Sequence, residues 1–260
     1  MPLYCRGAPQ GGIHGRLAVI TQFFTDAGIE VPAVAADQMR EVDRIAMEET
    51  GPNLFQMMEN AGSNLALLAI EVLGRGWEKA KIITLAGGGG NGGGGICASR
   101  HLANRKANVK LCLADPNHLG EVASFQRKIF GSTSGKEVDA KNVRKESVDL
   151  ILDALIGYGL KSAPRGSAAE LIRWANQTNA SIVALDVPSG VNATTGEATG
   201  DVIKARWTMT LALPKTGLLP ENTGELFLAD IGIPEGTYRR LGLSYTSPFG
   251  DSFRVPLTWR

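Results

Sequence analysis

Residues Lys81–Ala86 read KIITLA and run straight into Gly87–Gly95, GGGGNGGGG, ahead of an apolar-rich stretch from Ile96 to Asn104. A short apolar run of this kind is a buried strand, and the stretch behind the glycines reads as a helix. Eight of the nine residues between them are glycine. A flexible linker has no place between a strand and the helix packed behind it. A loop whose backbone must approach something closely does, because it offers bare N–H groups and a positive helix end to phosphate. A tight turn that binds nothing is the plainer alternative. The loop lacks the Lys and Ser/Thr that close the phosphate loop G-x-x-x-x-G-K-[ST]. Any glycine run satisfies G-x-G-x-x-G, so that match carries little.

Outward from this unit the alternation continues. Val109–Ala114 (VKLCLA), Val148–Leu155 (VDLILDAL), Ser181–Val187 (SIVALDV), Trp207–Leu213 and Glu225–Ala229 read as strands; Leu119–Phe130 and Ala168–Asn176 read as helices. Strands alternating with helices predict a mainly parallel sheet covered on both faces, a Rossmann-like three-layer αβα sandwich. Upstream, Met39, Val42, Ile45 and Ala46 recur at helical spacing within Asp37–Thr50, and Gly51-Pro52 breaks that helix. Asn53 can cap a second helix with Leu54, Met57, Met58, Ala61, Leu65 and Leu68 on its inner face, ending near Gly74. Residues 1–30 are expected to be an N-terminal extension, helical in part from about Leu17. Residues 31–242 form one α/β domain, and residues 243–260, with two prolines, an irregular tail.

Bulk composition excludes several classes. Lys and Arg number 27 against 26 Asp and Glu, which leaves no electrostatic footprint for nucleic acid or an acidic membrane. No apolar run reaches the ~18–20 residues of a membrane-spanning helix. Cys5, Cys97 and Cys112 lie far apart, as expected of reduced thiols in a cytoplasmic protein. The acid-poor residues 1–25 also leave room for an organellar presequence.

Ligands in open α/β sheets bind outside the carboxyl ends of the strands. Besides the glycine run, two polar clusters fall at such ends. Asp153 closes VDLILDAL ahead of Gly157-Tyr158-Gly159-Leu160, and Asp186 closes SIVALDV ahead of Pro188-Ser189-Gly190. A carboxylate within an apolar strand is costly without a partner. Each could merely structure its own turn, but two together point to one cleft. G-x-S-x-G is absent, and no His ends a strand, so a Ser-His-Asp hydrolase is not expected. No Cys/His spacing suggests a transition-metal site.

Taken in order, LFQMMENAG (Leu54–Gly62), the glycine loop ending in SRHL (Ser99–Leu102), LDALIGYGL (Leu152–Leu160), LDVPSGVNATTGEATGD (Leu185–Asp201), LALPKTGLL (Leu211–Leu219) and LADIGIP (Leu228–Pro234) resemble the NAD(P)H-hydrate epimerase family. The resemblance runs from about Val34 to Pro234, in the stand-alone form without a dehydratase half. It implies exchange at C6 of a hydrated nicotinamide, converting the R to the S form ahead of a dehydratase. Loss of the C6 hydroxyl, assisted by the ring nitrogen lone pair, and readdition to the other face invert the centre. A carboxyl group that gives and takes back a proton suits this step, and Asp186 is the candidate.

The resemblance further implies a potassium ion held at Asn91, Asp153 and Ser189. It implies dinucleotide contacts at Gly90, Asn91, Gly92, Gly93 and Gly94, and at Gly157, Tyr158, Gly159, Leu160, Lys161, Ser162 and Ala163, besides Asp186. It also implies a homodimer. Lys215 lies in a matched motif and is given no more than a structural role. Where the family loop reads G-x-G-N-N-G-G-D-G, this chain has Gly90 for the first Asn and Gly94 for the Asp. Two lost hydrogen bonds would weaken binding ~5- to ~150-fold. A binding or scaffold protein on the same fold is therefore one alternative. An ordinary nicotinamide oxidoreductase is another, with Asp115 near the ribose-holding position ~20 residues past the glycines.

Overall fold

The computed structural model describes residues 22–198 and 200–260. The expected unit is present but divided differently. Strand β3 (Lys81–Ala86) is followed by a turn of only three glycines, and the helix behind it starts at Gly90, not Ile96. Six further strands complete the parallel part: β4 (Asn108–Leu113), β6 (Leu150–Ala154), β7 (Ser181–Leu185), β8 (Trp207–Leu211), β9 (Glu225–Ala229) and the short β5 (Lys136–Glu137). The helices are α1 (Ala36–Ile45), α2 (Leu54–Leu73), α3 (Gly90–Asn104), α4 (Glu121–Phe130), α5 (Gly166–Gln177), α6 (Pro220–Thr223) and α7 (Glu235–Arg240).

With β1 (Phe23–Thr25), β2 (Glu30–Val31) and β10 (Arg254–Trp259) at one edge, the described strands form a ten-stranded sheet in the order β2-β1-β10-β9-β8-β7-β6-β3-β4-β5, with β9 through β5 mutually parallel. The period of two in each strand splits its side chains between two cores. Ile82, Leu150, Leu152, Val183 and Leu185 face the side of α1–α4, whereas Ile83, Leu85, Ile151 and Ile182 face Leu171, Ile172 and Trp174 of α5. Asn53 caps α2 as expected, accepting from the Gln56 amide at 3.0 Å while Gln56 Oε1 accepts from the Asn53 amide at 2.9 Å. The first helix ends early: Ala46–Thr50 form one wide π turn closed by Gly51 at φ +126°. No described helix is long and apolar enough to cross a membrane.

Two boundary expectations need correction. The stretch 243–260 is not simply an irregular tail: Arg254–Trp259 form β10, paired antiparallel with β9 and with β1 (Phe23–Thr25). Leu257 is buried, and the Trp259 indole packs at a tilt against Phe23 and donates to the Leu218 carbonyl at 2.8 Å. Pro256 argues against a central strand in sequence. It is tolerated because β1 ends at Thr25, opposite Leu257, so the ladder on that side stops before Pro256. The extension is not helical at Phe23–Thr25 but forms β1, which pairs with β2 (Glu30–Val31). Its residues 1–21 lie outside the described residues.

Candidate active site

From β3 the chain crosses outward to β4, and later returns to β6 on the other side of β3. That reversal opens a crevice beyond the strand ends, where ligands of such sheets bind. Gly87–Gly89 leave β3 there and Leu155–Gly159 leave β6. A cleft of about 570 Å³ opens at this point, walled by Met39, Met47, Leu54, Met58, Leu211 and Ile231. Its polar side carries Gly89, Gly90, Asn91, Gly157, Tyr158, Gly159, Lys161, Asp186 and Lys215, with Arg40 and Asp43 from α1.

Asp186 owes its position to a strained exit from β7. Its φ is +68°, and the Val187 amide bonds back to the Leu185 carbonyl at 2.9 Å, closing a three-residue γ-turn. A non-glycine residue in this region costs on the order of 1–3 kcal/mol, so the surrounding structure must enforce it. The next strand ends the same way. Ala212 has φ +63°, and the Leu213 amide reaches the Leu211 carbonyl at 2.7 Å. These paired turns bring Lys215 against Asp186, Nζ to Oδ1 2.5 Å, with both side chains buried. Lys215 also donates to the Leu211 carbonyl at 2.9 Å. The second oxygen of Asp186 accepts the Tyr158 amide at 2.9 Å. Removing one partner of a buried pair like this costs about 3–5 kcal/mol.

Tyr158 joins two carboxylates. Its amide is held by Asp186, its ring lies 5.7 Å from Lys215 Nζ, and its hydroxyl donates to Asp43 Oδ2 at 2.5 Å. Burial raises the Asp43 carboxyl above its ordinary range, opposed by the Tyr158 hydrogen bond. Burial and the Asp43 charge both raise the Tyr158 phenol. The segment before α1 is tied to the same region, since Val34 pairs with Pro214 and Thr216 on either side of Lys215.

Asp153 and Ser189 meet directly. Asp153 Oδ1 accepts from the Ser189 hydroxyl at 2.6 Å and the Leu155 amide at 3.2 Å, while Oδ2 accepts from the Ser189 amide at 2.9 Å. The turn carrying Ser189 closes through Gly190, at φ +101°, where a methyl group would lie 2.2 Å from the Asp201 carbonyl oxygen. Asp153 is wholly buried, and burial pushes its carboxyl up to about 6. Asn91 approaches from α3. With its amide turned to pair donors with acceptors, it meets the Leu185 carbonyl and the Gly157 amide, each at 3.3 Å.

The structure thus brings Gly90, Asn91, Gly157, Tyr158, Gly159, Lys161 and Asp186 to one cleft, with Asp153 and Ser189 behind its floor. Gly92, Gly93 and Gly94 are instead packed away within α3, and Leu160, Ser162 and Ala163 are not among the cleft's lining residues. Sequence reasoning missed Asp43 as a site residue and gave Lys215 only a structural place. Both carried a signal: Lys215 interrupts the apolar run LALPKTGLL, and Asp43 lies four residues past Met39, on the apolar face of α1. Outside the cleft, Glu59, Cys97 and His101 converge within 4.8 Å, a grouping that sequence spacing did not suggest. Arg100 Nη2 already sits among them, 2.5 Å from Glu59.

Comparison with known proteins agrees with this architecture. The family model described as YjeF-related protein N-terminus matches residues 54–217. An NAD(P)H-hydrate epimerase of Dehalogenimonas lykanthroporepellens is 49% identical, over 91% of this chain and 97% of that protein. The Enhancer of mRNA-decapping protein 3 of Homo sapiens is 30% identical over 92% of this chain, which spans 47% of that protein. A yeast crystal structure superposes with a TM-score of 0.73 at 23% identity, covering 87% of this chain and all of the other, a likeness of fold. The chain belongs to the YjeF-related N-terminal family, in which its 49%-identical relative is an NAD(P)H-hydrate epimerase.

Proposed function

We propose that the cleft interconverts the R and S forms of hydrated NADH or NADPH at nicotinamide C6. One observation carries the reading: a buried Lys215–Asp186 pair, held by two strained strand exits, borders a cleft rimmed by side-chain-free backbone at the start of α3. The rim offers unpaired first-turn amides and a positive helix end to the diphosphate. The pair offers a proton to the departing C6 hydroxyl, and the ring nitrogen lone pair stabilises the planar cation left behind. The apolar wall of Met39, Leu54 and Met58 takes the nicotinamide and limits water around it.

Asp153, Ser189 and Asn91 are the residues that would hold a potassium ion, and the donor chemistry of Asp153 supports this. The buried Asp153 carboxylate is hydrogen-bonded only to neutral groups, and those three bonds leave one of its roughly four acceptor positions free. When bound, the ion supplies fixed positive charge beneath the cleft.

A second reading, a scaffold without turnover, draws on the likeness to the decapping enhancer and on the bare position Gly90. One experiment separates the two. A mixture of both hydrates is given to an S-specific dehydratase, with and without this protein and with and without potassium. The enzyme lets all the substrate be repaired, fastest with potassium; a scaffold leaves the R half at the rate of the protein-free control. Asp186→Asn should slow repair of the R half by ~10²–10⁴-fold, the usual weight of a general acid. Unchanged repair by that variant would remove Asp186 from the chemistry.

A further inference from the structure

Inverting a carbon by loss and readdition of water needs proton handling on both faces of the ring. The proton goes to the departing hydroxyl on one face and must come off the entering water on the other. The Lys215–Asp186 pair supplies one such place. The remaining polar side chains of the cleft include a second acid linked to the first through a single residue. Tyr158 is anchored to Asp186 by its amide, and the full length of its side chain carries its hydroxyl to Asp43 on α1. Both Tyr158 and Asp43 line the cleft. The phenol already donates to Asp43 Oδ2, so its oxygen lone pairs are free to accept a proton from the cleft side.

We propose that Tyr158 and Asp43 form a second proton station, which takes the proton from the water entering the face of C6 opposite Asp186. This rests on the epimerase reading above and gives it a stereochemical mechanism. On the first face the C6–O bond breaks as the Lys215–Asp186 pair protonates the hydroxyl. Its electron pair leaves with the water, and the nitrogen lone pair forms the C6–N double bond. On the second face a water lone pair forms the new C6–O bond and the C6–N π pair returns to nitrogen. The entering water's surplus proton passes to the Tyr158 oxygen as the phenol proton moves to Asp43. One proton has then crossed from the first station to the second, no electrons are exchanged with any redox partner, and solvent in the cleft restores both groups. The raised Asp43 carboxyl is consistent with a group that accepts a proton there.

The test uses one pure epimer in heavy-oxygen water, with label and configuration followed separately. Wild type should place label in both epimers. Asp43→Asn keeps the size of the side chain and an oxygen for the phenol, and Tyr158→Phe keeps the ring beside Lys215 and the hydrogen bond that the backbone N–H of residue 158 donates to Asp186. In both variants epimerisation should fall by ~10²–10⁴-fold, and by at least about tenfold more than the rate at which label enters the starting epimer through the first face. Thermal melting checks that each variant is folded. Epimerisation near the wild-type rate in both variants would overturn the proposal. So would parallel loss of labelling and inversion in a folded variant. If wild type itself neither labels nor inverts above the buffer blank, the epimerase reading fails instead.

Discussion

Gly89 and Gly90 have open space where a side chain would go, and both line the cleft. Gly92–Gly95, within the next turn of the same run, have none. A methyl group at Gly92 would lie 1.8 Å from the Gly87 carbonyl oxygen, one at Gly93 2.9 Å from Val122, one at Gly94 2.9 Å from Leu185, and one at Gly95 2.4 Å from Ala154 Cβ. The contrast separates two uses of one residue type. The first part of the run leaves room for a ligand. The second lets α3 press against its own strand exit, α4, β7 and β6 at once. A helix containing four consecutive glycines gives up about 0.5–1 kcal/mol at each position relative to alanine. Here that loss is offset by packing that a Cβ would forbid.

Gly92→Ala should break this arrangement most severely. The obstructing atom is backbone, so the chain at Gly87 must move, and overpacking of this kind costs about 1–3 kcal/mol or more. Alanine's better helix propensity returns only about 1 kcal/mol. A melting temperature lower by several degrees is expected, since about 1 kcal/mol corresponds to roughly 2–4 °C at this chain length. A variant melting at or above wild type would show that the close approach is not what the glycine serves. Gly94→Ala should cost less, on the order of 1 kcal/mol. Its obstacle is the end of the Leu185 side chain, which can rotate. Because Leu185 precedes Asp186, a smaller melting loss accompanied by a fall in kcat is the expected pattern.

The same contrast explains what was legible in the sequence. The strands of the parallel core were readable from apolar runs bounded by glycine and polar residues, and so was the place of Asp153 and Asp186 at the carboxyl ends of adjacent strands. Both follow from local pattern plus the rule that such sheets bind ligands beyond their strand ends. The start of α3 was not readable, because intrinsic propensity argues against a helix at Gly90–Gly95 and only tertiary packing overrides it. Strand β10 was hidden by Pro256, whose missing donor is harmless only because β1 ends where it does. The partners of Lys215 and Asp43 were out of reach for another reason. Each is bonded to a residue far along the chain, Asp186 at a separation of 29 and Tyr158 at 115. A lysine in an apolar run announces that it needs a buried partner without saying which one.

The smallest expected effect is at Gly90, and it should have the opposite sign. Nothing lies within 4 Å of a side chain built there, and the position is the first residue of α3. Gly90→Asn should therefore leave the fold intact. Losing glycine's freedom in the unfolded chain should raise stability by about 0.4–1 kcal/mol, a melting shift of only a few degrees. If the cleft seats the dinucleotide against this turn, the new amide can add one hydrogen bond, about 0.5–1.5 kcal/mol, and lower KM by ~2- to ~12-fold. Gly90→Ala is the control that supplies the rigidity without the amide, so it should raise the melting temperature and leave KM where it was. A drop in KM with both residues would assign the gain to ordering the turn. No drop with either would mean that the substrate passes Gly90 by, and the open half of the run would then be only the start of a helix.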